Sequence, residues 1–461
     1  MTENIYLQDN IYLQDNIYLQ DNYAPVADET TAFDLPVKGE IPAELRGRLM
    51  RIGPNPVTPP GPNYHWFVGN GLVHGLQLSD GKAEWYRSRY VRDDDVCEAK
   101  GWPQTPGPRY TEIGSGGANT NLIAHGGKTF AIVEAGGNPV ELTNELETVT
   151  RSDFDGTLPG PFSAHPKRDP DTGELHVLGY YVGLEALHYN VVGTDGRVRK
   201  TVEIPVAGKT MVHDCSITEN YFIVFDMPVL FDPDLLERGL PLPYRWFDDY
   251  GTRVGLLPRE GNAEDIVWHE VEPCFLFHAM NSYEDSDGRV VLDVIRHPKM
   301  FATDLTGPND GRPTLDRWLI DPKGGPVKET RLDERGQEFP RHDERLIGKP
   351  YRYGYTGHVG EGLLFGGLLK HDLQTGETLE RNEGEHRQFQ EPVFVPRHEG
   401  AAEDDGWLLS YVHDKRRDAT DVVILNAQDF QGDPAAVIEL PCRVPFGFHG
   451  NWAPDAPSPA S

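Results

Sequence analysis

LSDGK (78–82) sets two turn residues, Asp80 and Gly81, between runs of alternating apolar residues, which is the pattern of a tight β-hairpin. The same device recurs at HGGK (125–128), GTDGR (193–197), DSDGR (285–289) and LQTGE (373–377). Helical periodicity is scarce. The 49 glycines and 38 prolines lie between apolar runs, so they read as turns in a folded chain and not as disorder. At 461 residues the chain exceeds the usual size of one hydrophobic core, yet no Pro/Gly/Ser linker divides it. Many hairpins along an undivided chain favour an all-β propeller over an open sheet. No clean repeat sets the number of blades.

Outward from the hairpins, the hexapeptide IYLQDN occurs at 5–10, 11–16 and 17–22. We expect residues 1–22 to form a mobile tail and residues 23–461 a single propeller domain. The segment VLFDPDLLERGLPLPYRW (229–246) is rich in leucine and aromatic residues for a loop. It reads as a cap packed on the propeller, or as an apolar entrance that touches a bilayer.

Charge and cysteine usage narrow the setting. A net charge of −30 disfavours nucleic acid and anionic lipid as long-range partners. The N-terminal MTENIYLQDN lacks the basic and apolar segments of a signal peptide, and no apolar run approaches the ~20 residues of a membrane helix. Cys97, Cys215, Cys274 and Cys442 are far apart and form no paired framework, which fits reduced thiols in a cytoplasmic protein. Cys215 and Cys274 lie two and four residues from histidines, an offset that on a strand only places side chains on one face.

Those histidines belong to a set of four in separate strand-like segments: His165 in FSAHPK, His213 in MVHDCSITENY, His278 in CFLFHAMNSYED and His449 in GFHGNW. Brought together, they would make an all-imidazole site suited to Fe, Zn, Cu or Ni. Their intervals of 48, 65 and 171 residues are too long for a local metal motif, so spacing alone leaves each of the 17 histidines readable as an ordinary hydrogen-bonded residue.

Their contexts carry more. NIYLQDNYAPV (16–26), IPAELRGRLMRIGPNP (41–56), YHWFVGNGLVHG (64–75), FSAHPK (162–167), MVHDCSITENY (211–221), EFPR (338–341), QEPVFVPR (390–397) and FHGNW (448–452) occur in this order over most of the chain. In these strings the chain resembles the carotenoid cleavage oxygenase family. The resemblance implies a seven-bladed β-propeller with a helical or loop cap over its top face, holding non-haem Fe(II) on four histidines. Carried over motif by motif, the ligands fall on His165, His213, His278 and His449. Three glutamates behind them fall on Glu134 in AIVEAG, Glu338 in EFPR and Glu391 in QEPVFVPR, with His165 left without one. A ligating imidazole has a second ring N–H that needs an acceptor, and a carboxylate there fixes the tautomer. No residue beyond the metal centre is expected to be catalytic.

The implied reaction is cleavage of a conjugated C=C bond of a carotenoid or apocarotenoid by O2, giving carbonyl products, with the polyene in an apolar tunnel. Relatives that cleave lignin-type stilbenes carry a lysine just before the first glutamate, where this chain has Val133. A stilbene dioxygenase on the same fold is therefore the second reading, and a metal-free scaffold the third. Relatives often show acidic residues at the positions of Val68 and Asn70, neither of them a ligand. His65 and His74 read as structural. No obligate protein partner is evident; peripheral membrane contact would go through 229–246.

Overall fold

All five tight turns join neighbouring antiparallel strands in a computed structural model, which describes residues 16–61, 63–110, 117–307, 310–360 and 365–455. Asp80 and Gly81 have φ of 50° and 74°, and Gly126 and Gly127 have 57° and 76°. Left-handed pairs of this kind match the twist of a two-residue hairpin, and glycine adopts them without steric cost.

These hairpins build seven antiparallel sheets that are the blades of a β-propeller. The innermost strands are Gly450–Pro454, Asn121–His125, Lys167–Arg168, Cys215–Ile217, Phe275–Glu284, Gln337–His342, and Arg387–Phe389 with Val393–Pro396. Burial follows position in the blade. Innermost Phe275–Glu284 has eight consecutive buried residues, whereas the outer strand Val198–Pro205 alternates between buried and exposed. A strand covered on both faces is mostly apolar and its polar members, here His278, Asn281 and Ser282, are hydrogen-bonded, whereas one with a wet face needs period-two patterning.

Neighbouring blades share apolar seams. Met50, Ile52 and Val73 of the first blade meet Leu122, Ala131 and Val140 of the second. Ile123, Phe130 and Ile132 of the second meet Leu175, Val177 and Val192 of the third. The ring closes between the sequence-distant seventh and first blades, where Leu409, Val422 and Ile438 pack on Leu49, Leu76 and Tyr86. Closure is also made by hydrogen-bonded strand pairing: the first blade takes its innermost strand from the C-terminal side, with Arg51 paired to Gly450 and Gly47 to Pro454.

Two expectations change in detail. The third hexapeptide, placed in the tail by the sequence, is packed: Ile17–Leu19 and Asp21–Tyr23 form 3-10 turns with Tyr18, Leu19 and Asn22 buried. Its side chains find specific partners, Tyr18 stacking with Trp66 at 6.3 Å and Asn22 donating to the Val444 carbonyl at 3.1 Å, and the following Tyr23 lies edge-on to Trp66 at 5.2 Å. The boundary of the packed chain therefore precedes residue 22, and residues 1–15 lie outside the described residues. The cap over 229–246 is a small hairpin, Val229–Phe231 paired with Tyr244–Trp246, which carries the short helix Pro233–Glu237 at its tip. No helix among the described residues is long and apolar enough to cross a membrane.

Candidate metal centre

Blade geometry brings the four histidines together on the axis. His165 and His213 each stand two residues ahead of an innermost strand, His278 lies within one, and His449 immediately precedes Gly450–Pro454. All four are buried, and one ring nitrogen from each lies within 4.8 Å of the others. Adjacent Nε2 atoms are separated by 2.9 Å (His165 to His213), 3.2 Å (His213 to His278) and 3.1 Å (His278 to His449).

These short separations are not hydrogen bonds in the three rings whose Nδ1–H is already committed. His213 Nδ1 donates to Glu134 Oε2, His278 Nδ1 to Glu338 Oε2 at 2.5 Å, and His449 Nδ1 to Glu391 Oε1 at 2.8 Å. A carboxylate cannot donate in return, so each of these Nε2 atoms presents a lone pair to the centre. Converging lone pairs repel unless a cation stands between them. Imidazole nitrogens at about 2.1 Å from a metal are ~3.0 Å apart at right angles and ~3.4 Å apart in a tetrahedron, so the observed spacing fits right-angled ligation with positions to spare.

Charge supports the same fit. Burial alone would raise the Glu338 carboxyl, but the adjacent His278 imidazole and His297 hold it well below the usual carboxylate range. Burial is likewise outweighed at Glu391, held at about 2 by His449 and Arg341, and at Glu134, lowered by His213. Against the same burial, Glu338 raises His278. Burial carries His449 down to about 4 despite Glu391, and it takes His165, beside three other imidazoles, well below its ordinary value. Three ionised carboxylates thus surround a buried point that a divalent cation would neutralise.

Behind each glutamate stands a further donor that the sequence reading did not single out. Tyr180 donates its hydroxyl to Glu134 Oε1, His297 donates Nε2 to Glu338 Oε1 at 2.9 Å, and the Gly450 amide donates to Glu391 Oε2 at 2.8 Å with Arg341 Nη1 at 3.3 Å from Oε1. Arg341 lies inside EFPR and was within reach of motif reading. Nothing local marks Tyr180 or His297. His165 has no carboxylate partner for Nδ1 among the described residues.

The centre lies between two cavities of opposite character. One, of about 340 Å³, is walled by Phe67, Val133, Met211, Phe277, Phe339 and Phe448, includes Val68 and Leu242 in its lining, and has no lysine or arginine there among the described residues. The other, of about 720 Å³, is the axial channel lined by the innermost strands, with Lys167, Asp214, Arg341, His342 and Asn451 in its wall. Val133 faces the apolar cavity. His65 and His74 stand apart from the cluster: His65 Nδ1 accepts from the Phe67 amide at 3.1 Å, and His74 Nδ1 pairs with the Tyr86 hydroxyl at 2.8 Å. All four cysteines are free thiols, none in the cluster, and burial pushes Cys215 and Cys274 up to about 12.

The sequence model of the family described as retinal pigment epithelial membrane protein matches residues 23–454. A carotenoid cleavage oxygenase of Mycobacterium tuberculosis is 44% identical over 94% of this chain and 96% of that protein. Among solved structures, the lignostilbene dioxygenase of Pseudomonas brassicacearum superposes with a TM-score of 0.86 at 28% identity, covering 95% of this chain and 98% of that one. A variant of the Synechocystis apocarotenoid oxygenase gives 0.84 at 28% identity, covering 94% and 98%.

Proposed function

The chain belongs to the carotenoid cleavage oxygenase family, and on that premise we propose that it is an Fe(II)-dependent dioxygenase that cleaves one conjugated C=C bond of a carotenoid or apocarotenoid. Each alkene carbon takes one atom of O2 and leaves as a carbonyl. The observation that carries this reading is a four-imidazole centre opening onto an apolar cavity without a cation. His165, His213, His278 and His449 are the proposed iron ligands, and Glu134, Glu338 and Glu391 hold three of their rings. Bound iron would supply the open coordination position and the electrons that O2 activation requires.

The chain's own residues do the rest. Glutamates fix the imidazole tautomers so that the lone pairs face inward. Phe67, Phe277, Phe339 and Phe448 hold the polyene by apolar burial, worth ~25 cal/mol per Å², and keep water from the reacting carbons. Val133 offers no ammonium to a phenolate, which favours a hydrocarbon over a hydroxystilbene. We take the chain from residue 16 onward as one catalytic unit of the cytoplasm that meets a bilayer through 229–246. Leu236 in that segment is 52% exposed, and Val68 beside the cavity is 44% exposed.

Incubation of the iron-loaded protein with a panel of carotenoids, apocarotenals and stilbenes tests the proposal. Aldehyde or ketone fragments of a polyene, formed only with O2, are expected. Efficient cleavage of a 4-hydroxystilbene with every polyene intact would establish the second reading, which the likeness to a lignostilbene dioxygenase keeps open. A chain that takes up no metal would be the non-catalytic scaffold.

A further inference from the structure

The two cavities meet the centre on different sides, and His165 lines only one of them. It belongs to the wall of the polar axial channel and not to that of the apolar cavity, whereas His213 lines only the apolar one. It is also the ring that no carboxylate clamps. Building on the iron reading above, we infer that the metal enters and leaves through the axial channel, with His165 as the ligand that swings to admit it.

Physical chemistry separates the two routes. A divalent ion travels hydrated, and in the apolar cavity its water would be stripped against Phe67, Phe277, Phe339 and Phe448, where the polar side chains ahead of the centre include the exposed Asp95 and the already hydrogen-bonded Asn70 and Asn119. Along the axis the ion instead meets Asp214, Asn451 and the unpartnered Nε2 of His342, a ring only 7% exposed. Three of the five cations in that wall are paired, Lys167 with Asp214 at 2.7 Å, Arg341 with Glu344 at 2.6 Å and Lys128 with Glu141 at 2.7 Å, while Arg48 and Arg168 form no ion pair among the described residues. Rotating His213, His278 or His449 away from the axis would break a hydrogen bond to an ionised carboxylate, and rotating His165 breaks none. A polar door for the metal and an apolar door for the substrate would let the centre be loaded without disturbing the polyene site.

The test follows metal exchange and not turnover. Full-length protein stripped of metal is mixed with Co(II), and the cobalt retained after rapid desalting is measured over time; release is then timed under excess EDTA. Ala124→Trp narrows the axial channel from the second blade and Asn144→Trp from an exposed turn at its rim. Val133→Trp narrows the apolar cavity. Either channel variant should slow both uptake and release about tenfold or more, a barrier change of roughly 1.4 kcal/mol, while reaching the wild-type cobalt content. Val133→Trp should stay within about twofold by the same measure. Wild-type exchange rates in both channel variants, with unchanged melting temperatures, overturn the route, as does equal slowing by Val133→Trp. Absence of cobalt binding by the wild-type chain overturns the metal reading itself.

Discussion

Glu338 receives three donors, His278 Nδ1, His297 Nε2 and the Phe339 amide, and a glutamine in its place must turn an NH2 toward one of them. Glu338→Gln should therefore cost ~10–100-fold in metal affinity, read by competition with a chelator, and an unchanged affinity would remove the carboxylate from its proposed role. Tyr180→Phe deletes one neutral donor to Glu134 and leaves the His213 contact in place, so its loss should be smaller, below about tenfold. Substrate choice is tested at Val133. An ammonium buried among the phenylalanines costs several kcal/mol unless a phenolate pairs with it, so Val133→Lys should lower kcat/KM on a polyene at least about tenfold while raising turnover of a 4-hydroxystilbene. Product quantification on both substrates decides. These positions were unequally visible in the sequence. The histidines and glutamates sit inside distinctive strings, whereas Tyr180 and His297 reach their partners only because separate blades converge.

The N-terminal arm shows why an element can escape a sequence reading. Only the third of the identical hexapeptides runs on into the family-like string NIYLQDNYAPV (16–26), but what it packs against is not legible, because the partners, Trp66, Val444 and Phe446, lie far along the chain. In the structure Leu19 is fully buried, and Tyr18 stacks on Trp66, whose neighbour Phe448 walls the apolar cavity. Leu19→Ala should destabilise the fold by about 2–5 kcal/mol, measured by urea unfolding. A change below about 0.5 kcal/mol, the range of ordinary surface positions, would mean that the arm is not docked. Hairpins were legible for the opposite reason, since two or three local residues such as Asp80 and Gly81 determine the turn.

At the scale of the whole molecule, burial sets the response to acid. Six histidines outside the metal centre are buried and held neutral: desolvation carries His65, His176, His371 and His413 down to about 4 and His74 and His342 to about 3. Unfolded, each would bind a proton below about pH 6.5. Between that pH and 3–4 the unfolded chain binds more protons than the folded one, so stability falls as pH falls, by up to ~1.4 kcal/mol per pH unit for each residue. The metal-free protein should therefore unfold cooperatively in mild acid, with the melting temperature dropping from pH 6.5 toward pH 4. A flat profile over that window would contradict the burial of these rings. The fold class was readable from turns and alternation, but the seven-blade count came only from resemblance. Register between blades depends on seams such as Leu409 against Leu49, which no local window contains.

Closure of the ring also has a duration. Gly47–Pro54 waits for Gly450–Pro454, roughly 400 residues later in the chain, which at 5–20 residues per second is about 20–80 s of synthesis. Throughout that interval the first blade is an open edge with unpaired amides and carbonyls, the kind of surface that recruits other strands. His449 emerges just ahead of the closing strand, so no nascent chain can assemble the four-imidazole cluster before its blades are complete. Ribosome stalling or a nonsense codon before residue 450 would release a sticky, metal-less propeller, a client for chaperones and proteases.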